Sequence, residues 1–230
     1  MKPLFHARRM AAALAGMLAR HSRRLRTDRT AVSAVEFAIV APLLATMGLG
    51  SIELANMSLT YMRISQAAIT IADNASRAKQ SSSNGGAMMR EYDVNESFTQ
   101  ADLEYPGLQI YTRGRVVLSS LEQNGSGGQW IHWQRCRGSY TAGVSKYGTQ
   151  GTGASGTAFP GMGPTGNIVT ADANSAIMFA EVYYQYQPIF FNIGGGGAPT
   201  IYRAAAMYVR DDRDLTQIYN PSPVATVYNC

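Results

Sequence analysis

A single carboxylate inside an otherwise uncharged apolar run is the group that most constrains the chemistry of this 230-residue chain. Glu36 is the only charged residue between Ala31 and Ile52. At about 1.5 Å per helical residue, a run of this length covers the ~30 Å hydrocarbon core of a bilayer, so we predict a membrane-spanning helix. A charge inside that core costs roughly 2.5 to 3.5 kcal/mol on insertion scales. Glu36 therefore requires a partner group.

The residues around Glu36 have a spacing that is typical of a processing signal. Ala31 is small, Val32 follows it, and Glu36 is the fifth residue counted from Val32, with Phe37 next. This arrangement resembles the class III signal of type IV prepilins and pseudopilins, in which a small residue precedes the cut and glutamate is the fifth residue of the mature chain. The chain departs from the usual pattern in having Ala31 where glycine normally precedes the cut.

Two later stretches narrow the resemblance to TadE-like proteins of the Tad (tight adherence) pilus system. They are Gly50–Leu54 and the alanine-rich segment Gln66–Arg77. The resemblance implies a minor pilin or pseudopilin that takes part in assembling a Tad/Flp-type adhesion pilus, and it implies no enzymatic activity and no cofactor. The implied partners are a prepilin peptidase that cuts between Ala31 and Val32, other pilins and the Tad secretion machinery.

The resemblance also implies a chemical role for Glu36. Cleavage creates a new α-amino group at Val32, and in related systems the glutamate pairs with that amine on a neighbouring subunit. Such a pair offsets the cost of burying either charge alone. One alternative is an uncleaved single-pass protein whose head binds a carbohydrate, peptide or surface ligand, as in a TadG-like protein, although that family's Asp-x-Ser-x-Ser motif is missing. An exported enzyme of unrecognised type is the other alternative.

Positive charge is concentrated before the apolar run, although the net charge of the whole chain is only +5. We interpret residues 1–31 as a cytoplasmic leader, because lysine and arginine cluster on the cytoplasmic side of membrane spans. This favours an inner-membrane protein with a periplasmic C-terminal part over a nucleic-acid-binding protein. Met10–Ala19 resembles a short secretory signal, but the longer apolar run begins only at Ala31. A long leader, or a start at Met17, is the better interpretation.

Cys136 and Cys230 are the only cysteines, and both follow the apolar run. An even count in an oxidising compartment favours an intramolecular disulfide, and two unpaired thiols are the alternative. Two cysteines with three scattered histidines give no zinc-binding spacing, so no metal site is expected.

Other candidate sites are weaker. The glycine-rich tracts lack the lysine of a phosphate-binding loop, and no Gly-x-Ser-x-Gly sequence is present. Asp211–Asp214 is more typical of a solvated turn than of a cation site. His132, which lies between Trp130 and Trp133, is expected to be a packed side chain. The tyrosines of Tyr183–Tyr186 are expected in a sheet core, with subunit contact as a secondary interpretation.

These residues are positioned by a predicted α+β fold, in which one long helix precedes an antiparallel β-sheet head as in pilins. Residues 32–79 are predicted as transmembrane and then amphipathic helix, softened at Gly48 and Gly50. Apolar residues recur at alternating spacings of four and three along its second half: Met57, Tyr61, Ile64, Ala68, Ile71 and Ala75. Such a stripe packs either on the chain's own head or against neighbouring subunits.

Turn-forming residues follow the helix, so residues 80–90 are predicted as a linker. Residues 91–230 are predicted as a periplasmic, β-rich domain, and its glycine-rich stretch 143–175 as a long surface loop. Leu108–Tyr111 and Arg115–Ser119 are expected to form one long strand or two short strands. The other expected strands are Trp130–Cys136, a half-buried strand over Met178–Tyr186, and its antiparallel partner Ile201–Arg210.

Overall fold

The computed structural model of this protein describes residues 30–78, 80–81, 87–190, 199–210 and 212–230. Residues 1–29 of the predicted leader and the glycine run at 194–197 lie outside the described residues. The chain divides into two compact units, Met1–Ile52 and Glu53–Cys230, and each is described by itself.

The predicted N-terminal helix is present as α1, Thr30–Arg77. The part from Val32 onward is long and apolar enough to cross a membrane. Its most apolar stretch of 18 residues has a mean hydropathy of 1.9, and none of that stretch is buried. The helix runs through Gly48 without a break. Pro42 also lies inside the helix and lacks the backbone N–H that other residues donate. Transmembrane helices tolerate proline at such positions.

Within the second unit, the amphipathic stripe of α1 packs against the chain's own sheet. The residues Ile64, Ala67, Ala68, Ile71, Ala72 and Ala75 are all buried in its main core. Met57 and Tyr61 are partly buried at the edge of the same core. Most of these buried side chains are alanine. Of the two uses that the sequence left open for the stripe, packing on the chain's own head is therefore the one observed.

A second helix, which the sequence analysis did not predict, follows a short strand. Strands β1 (Gln80–Ser81) and β2 (Ala87–Arg90) are succeeded by α2, Glu91–Glu104. Helix α2 begins where the Asp93 carboxylate accepts a hydrogen bond from the Arg90 backbone N–H at 3.0 Å. It buries Val94, Phe98 and Ala101, which recur at helical spacing.

The strand predicted at Leu108–Tyr111 is wrong. This segment holds the end of a 3₁₀ helix, Pro106–Leu108, and the first half of a short helix α3, Ile110–Arg113. Gln109, between them, has a left-handed backbone with φ of 52°. Leu108 and Ile110 are both buried, so their alternation reflects two helical turns that insert side chains into the core.

Four antiparallel strands form the main sheet of the second unit, in the order β4-β3-β5-β6. They are β3 (Gly114–Gln123), β4 (Gln129–Arg137), β5 (Ala176–Gln185) and β6 (Thr200–Tyr208). Strand β7 (Arg213–Tyr219) instead pairs in parallel with β2. The predicted α+β fold is confirmed, and so is the antiparallel pairing of β5 with β6.

Strand β5 is buried along almost its whole length, whereas the sequence predicts a half-buried strand. Met178, Ala180 and Val182 belong to the core that contains the α1 stripe. Ile177 and Phe179, which alternate with them, pack in a second core with Met162 from the glycine-rich stretch. The loop at 143–175 therefore covers the second face of the sheet.

Glycine allows this loop to fold tightly where it pairs with itself. Met162 and Val169 form an isolated β-bridge, and Gly161 beside it has φ of 118°. A Cβ added to Gly161 would lie 2.3 Å from the Val169 carbonyl oxygen. Any other residue at 161 would therefore displace the bridge that holds Met162 in the second core.

The C-terminal tail is fastened to strand β4. Cys136 and Cys230 form a disulfide, as the even cysteine count predicts. The Cys136 backbone N–H also donates to the Tyr228 carbonyl at 2.8 Å. Arg137 lies over the ring of Tyr228, with 5.3 Å between the guanidinium carbon and the ring centroid.

We expect removal of this disulfide to destabilise the head and free its tail. The Cys230→Ala variant should lose about 2 to 5 kcal/mol of unfolding free energy, because the unfolded chain gains freedom. Thiol labelling of the native protein should modify no cysteine before reduction and both after it. Limited proteolysis should cut the variant sooner between 221 and 229. Two thiols that react before reduction would contradict the assignment, and a reducible dimer would replace it with an intersubunit bond.

Candidate functional site

The predicted processing residues lie in the first turns of α1, where the helix is exposed. Val32 and Glu36 are separated by one helical turn and so share a face, about 5 to 6 Å apart at their Cβ atoms. Phe37 is 71% exposed. Among the described residues, Glu36 has no ion-pair or hydrogen-bond partner for its carboxylate. The structure thus places Val32 and Glu36 on one face of the helix, and none of the described residues compensates the charge of Glu36.

Large apolar side chains surround Glu36 on the exposed surface of α1. Those within the first unit are Val32, Val35, Phe37, Ile39, Val40, Leu43, Leu44, Met47, Leu49 and Ile52. Exposed apolar surface that continues for so many turns is typical of a segment covered by lipid or by other helices.

A second carboxylate stands directly after this apolar run and has the opposite environment. Glu53 is only 1% exposed. One of its oxygens accepts the Tyr186 hydroxyl, and the other accepts the backbone N–H groups of Ile189 at 2.9 Å and Phe190 at 3.1 Å. Asn56, one turn further along α1, donates to the Tyr186 oxygen at 2.7 Å. We call these five residues the Glu53 latch.

The latch satisfies a buried charge with neutral donors. Three hydrogen bonds to a carboxylate stabilise its ionised form without a cation nearby. Burial, together with the bond to Glu53, raises the pKa of Tyr186 to about 12, so its hydroxyl keeps the proton that it donates. Helix α1 is thereby fastened to the segment that follows strand β5.

Sequence reasoning gave Glu53 no role of its own. It appears there only within Gly50–Leu54 as part of the TadE resemblance. The available signal was a carboxylate placed immediately after an apolar run, where a charge needs either water or a partner. Its partners are 133 to 137 residues away in the chain, which no local pattern reveals.

A polar cleft of about 530 Å³ lies on the head. His132 stacks on Trp130, with ring centroids 4.0 Å apart, and its Nδ1 lies 2.8 Å from a Glu122 oxygen. The other Glu122 oxygen accepts the Ser120 hydroxyl at 2.6 Å. His132 is therefore a packed side chain, as expected from the sequence, and Ser120 contacts the carboxylate instead of the imidazole. This arrangement does not activate a serine nucleophile, which needs the imidazole as its base.

Two other buried carboxylates of the described head accept hydrogen bonds from within the chain. The Arg135 guanidinium Nε lies 3.0 Å from both oxygens of the Glu91 carboxylate. Burial raises the pKa of Glu181, which accepts bonds from the Lys146 N–H and the Tyr202 hydroxyl. These groups hold strands and loops together.

The predicted acidic cluster is only partly described, since Asp211 lies outside the described residues. Hydrogen bonds from Tyr219 and Thr216 hold the pKa of the Asp214 carboxyl below its ordinary value. In the part of the chain that the structure describes, no group of three or more His, Cys, Asp or Glu residues is arranged to hold a metal ion.

Comparison with protein families gives a match in the region of the two carboxylates. Residues 31–73 match the family model described as TadE-like protein. The chain carries a TadE-like segment. The match starts at Ala31, the residue before the predicted cut, and lies entirely within α1. No curated protein and no solved structure gave a significant match. This segment is thus similar to TadE-like proteins, and the helix that contains it is long and apolar enough to cross a membrane.

We expect the Glu53 latch to contribute measurably to the stability of the head. The Glu53→Ala variant leaves the Tyr186 hydroxyl and two backbone N–H groups without their acceptor. Its unfolding free energy should fall by about 1 to 3 kcal/mol, the cost of leaving buried donors unpaired. Chemical unfolding of the detergent-solubilised full chain, followed by tryptophan fluorescence, measures this change.

Glu104→Ala is the matched control for the latch. Glu104 is exposed and accepts hydroxyl bonds from Thr70 and Tyr105 at the surface. Its replacement should change the unfolding free energy by less than about 0.5 kcal/mol. Equal effects of the two substitutions would show that the buried latch adds nothing beyond ordinary surface contacts.

Proposed function

We propose that this protein is a minor pilin or pseudopilin that takes part in assembling a Tad/Flp-type adhesion pilus. In this proposal α1 anchors the chain in the bacterial inner membrane, with the basic leader in the cytoplasm and the head in the periplasm. A prepilin peptidase cuts between Ala31 and Val32. The processed chain then enters the Tad machinery together with other pilins.

The observation that carries the proposal is the state of Glu36. Its carboxylate stands among exposed apolar side chains, with no partner among the described residues. Burying it unpaired in a membrane or a helix bundle is costly, so an apolar anchor alone does not explain its presence. A group supplied by processing and assembly does explain it.

The new α-amino group at Val32 is that group. One helical turn separates Val32 from Glu36, so both charges lie on the same face of α1. When processed subunits pack side by side, the amine of one chain and the carboxylate of the next meet in a low-dielectric environment. Neither charge is then buried alone.

Ligand binding by the head of an uncleaved protein is the second candidate. The polar cleft, with Trp130 and His132 stacked at its wall, favours this function. Each oxygen of its Glu122 carboxylate already has a partner within the chain, the Ser120 hydroxyl for one and the His132 ring for the other. The pairing requirement of Glu36 has no explanation in that function, so we place assembly first.

We expect Glu36→Gln to block assembly while leaving membrane insertion intact or improved. The amide removes the insertion cost of the charge, but it leaves the amine of the neighbouring subunit without a counter-charge. An unpaired buried charge costs about 3 to 5 kcal/mol, which is enough to remove most assembled product. Membrane fractionation measures insertion, and recovery of sheared fibres together with surface attachment measures assembly.

Thr46→Val is the matched control for the Glu36 variant. Thr46 lies on the same exposed helix, and its hydroxyl donates a hydrogen bond to the Leu43 carbonyl oxygen of the preceding turn at 2.9 Å. This substitution should leave both insertion and assembly unchanged. Normal piliation and attachment by a Glu36→Gln or Glu36→Val chain would contradict an assembly role for the charge.

A further inference from the structure

We propose that the segment after strand β5 is a second membrane contact, in which Ile189 and Phe190 insert their side chains into the interfacial region of the bilayer that α1 crosses. The inference rests on the membrane anchorage in the proposed function. It adds a surface of the head whose partner is lipid.

The height of this segment is fixed by the Glu53 latch. Glu53 directly follows Ile52, the last residue of the apolar run, so it stands where the hydrocarbon core ends. The backbone N–H groups of Ile189 and Phe190 donate to the Glu53 carboxylate at 2.9 and 3.1 Å. A segment bonded to that carboxylate lies at the same depth, at the boundary between acyl chains and headgroups.

The side chains at this depth are suited to lipid. Ile189 is 56% exposed and Phe190 is 50% exposed, although both are large and apolar. Exposure of two adjacent apolar side chains to water is unfavourable, whereas their burial at an interface stabilises in proportion to the apolar surface removed from water. Membrane-surface elements use such residues to enter the headgroup and acyl boundary.

The backbone of the segment is prepared for the same environment. An amide that loses water without gaining a hydrogen bond is destabilising near lipid, so irregular segments are normally kept out of the hydrocarbon region. Here the N–H groups of Ile189 and Phe190 already have an acceptor in Glu53. The carboxylate therefore fastens the helix and also satisfies the part of the loop backbone that meets lipid.

Lipid is the occupant that chain continuity favours over a second protein chain. The segment is hydrogen-bonded to Glu53, the first residue after the membrane-spanning run. In every anchored molecule that residue lies at the bilayer boundary, whether or not a second protein chain is present.

Site-directed fluorescence with the full chain tests this contact. The variants Ile189→Cys, Leu44→Cys and Leu103→Cys place an environment-sensitive label at three exposed apolar positions, with the native cysteines held in their disulfide. Each labelled chain is reconstituted in phosphatidylethanolamine and phosphatidylglycerol vesicles whose acyl chains are either unmodified or brominated. Bromine quenches only labels that touch the acyl region.

Leu103 is the matched control, because it is 74% exposed and far from the latch. Its neighbour Glu104 bonds to Thr70, which lies about 25 Å further along α1 than Glu53 at the normal helical rise. Leu44, in the apolar run, reports whether the chain is inserted at all. The unlabelled native chain, treated in the same way, gives the background.

We expect brominated lipid to reduce the fluorescence at 189 and 44 and to leave the fluorescence at 103 unchanged. Quenching at 44 without quenching at 189 would overturn the interfacial contact while leaving the membrane anchor intact. A blue-shifted but unquenched label at 189 would overturn it in favour of cover by protein. Absence of quenching at 44 would overturn the anchor itself and the inference with it.

Discussion

A carboxylate beside hydrocarbon is costly, and helix α1 places one near each end of its apolar run. Glu53 is satisfied within the chain by Tyr186 and two backbone N–H groups. Glu36 has no such partner among the described residues. The two ends of the run therefore differ, because the carboxylate of Glu53 fastens the helix to the head. In the function that we propose, the carboxylate of Glu36 is paired only after processing and association.

The rest of the described head is arranged around the helix that Glu53 fastens. Small side chains of α1, from Ala67 to Ala75, are buried in the same core as the side chains of one face of strand β5. The glycine-rich loop covers the opposite face of that strand through Met162. At the edge strand β4, the disulfide from Cys136 holds the C-terminal tail. The sheet is thus covered on both faces and fastened at its edge, which suits a rigid head carried by a single helix.

Sequence patterns predicted the parts of this structure that local periodicity or simple counting determines. The alternating spacing from Met57 to Ala75 indicated α1, and the even cysteine count indicated the disulfide. Helix α2 was missed because only Val94, Phe98 and Ala101 mark its buried face among polar residues. The prediction of a strand at Leu108–Tyr111 was wrong because alternation of apolar residues alone does not distinguish a strand from two short helical turns. Glu53 was overlooked because its acceptor role depends on a segment that is distant in sequence. The burial of both faces of strand β5 was not predicted, because the periodicity of β5 does not show that the loop at 143–175 covers its second face.

In the proposed function, Glu36 pairs with an amine that is created by cleavage before Val32. The mature chain must then begin at Val32, and the identity of its N-terminal residue is the quantity to measure. Membrane-extracted protein from cells that contain the prepilin peptidase should begin at Val32 by intact mass and N-terminal sequencing. Replacement of Ala31 by leucine should leave the leader attached, since the cut follows a small residue. Recovery of only the full-length chain from peptidase-containing cells would contradict the account.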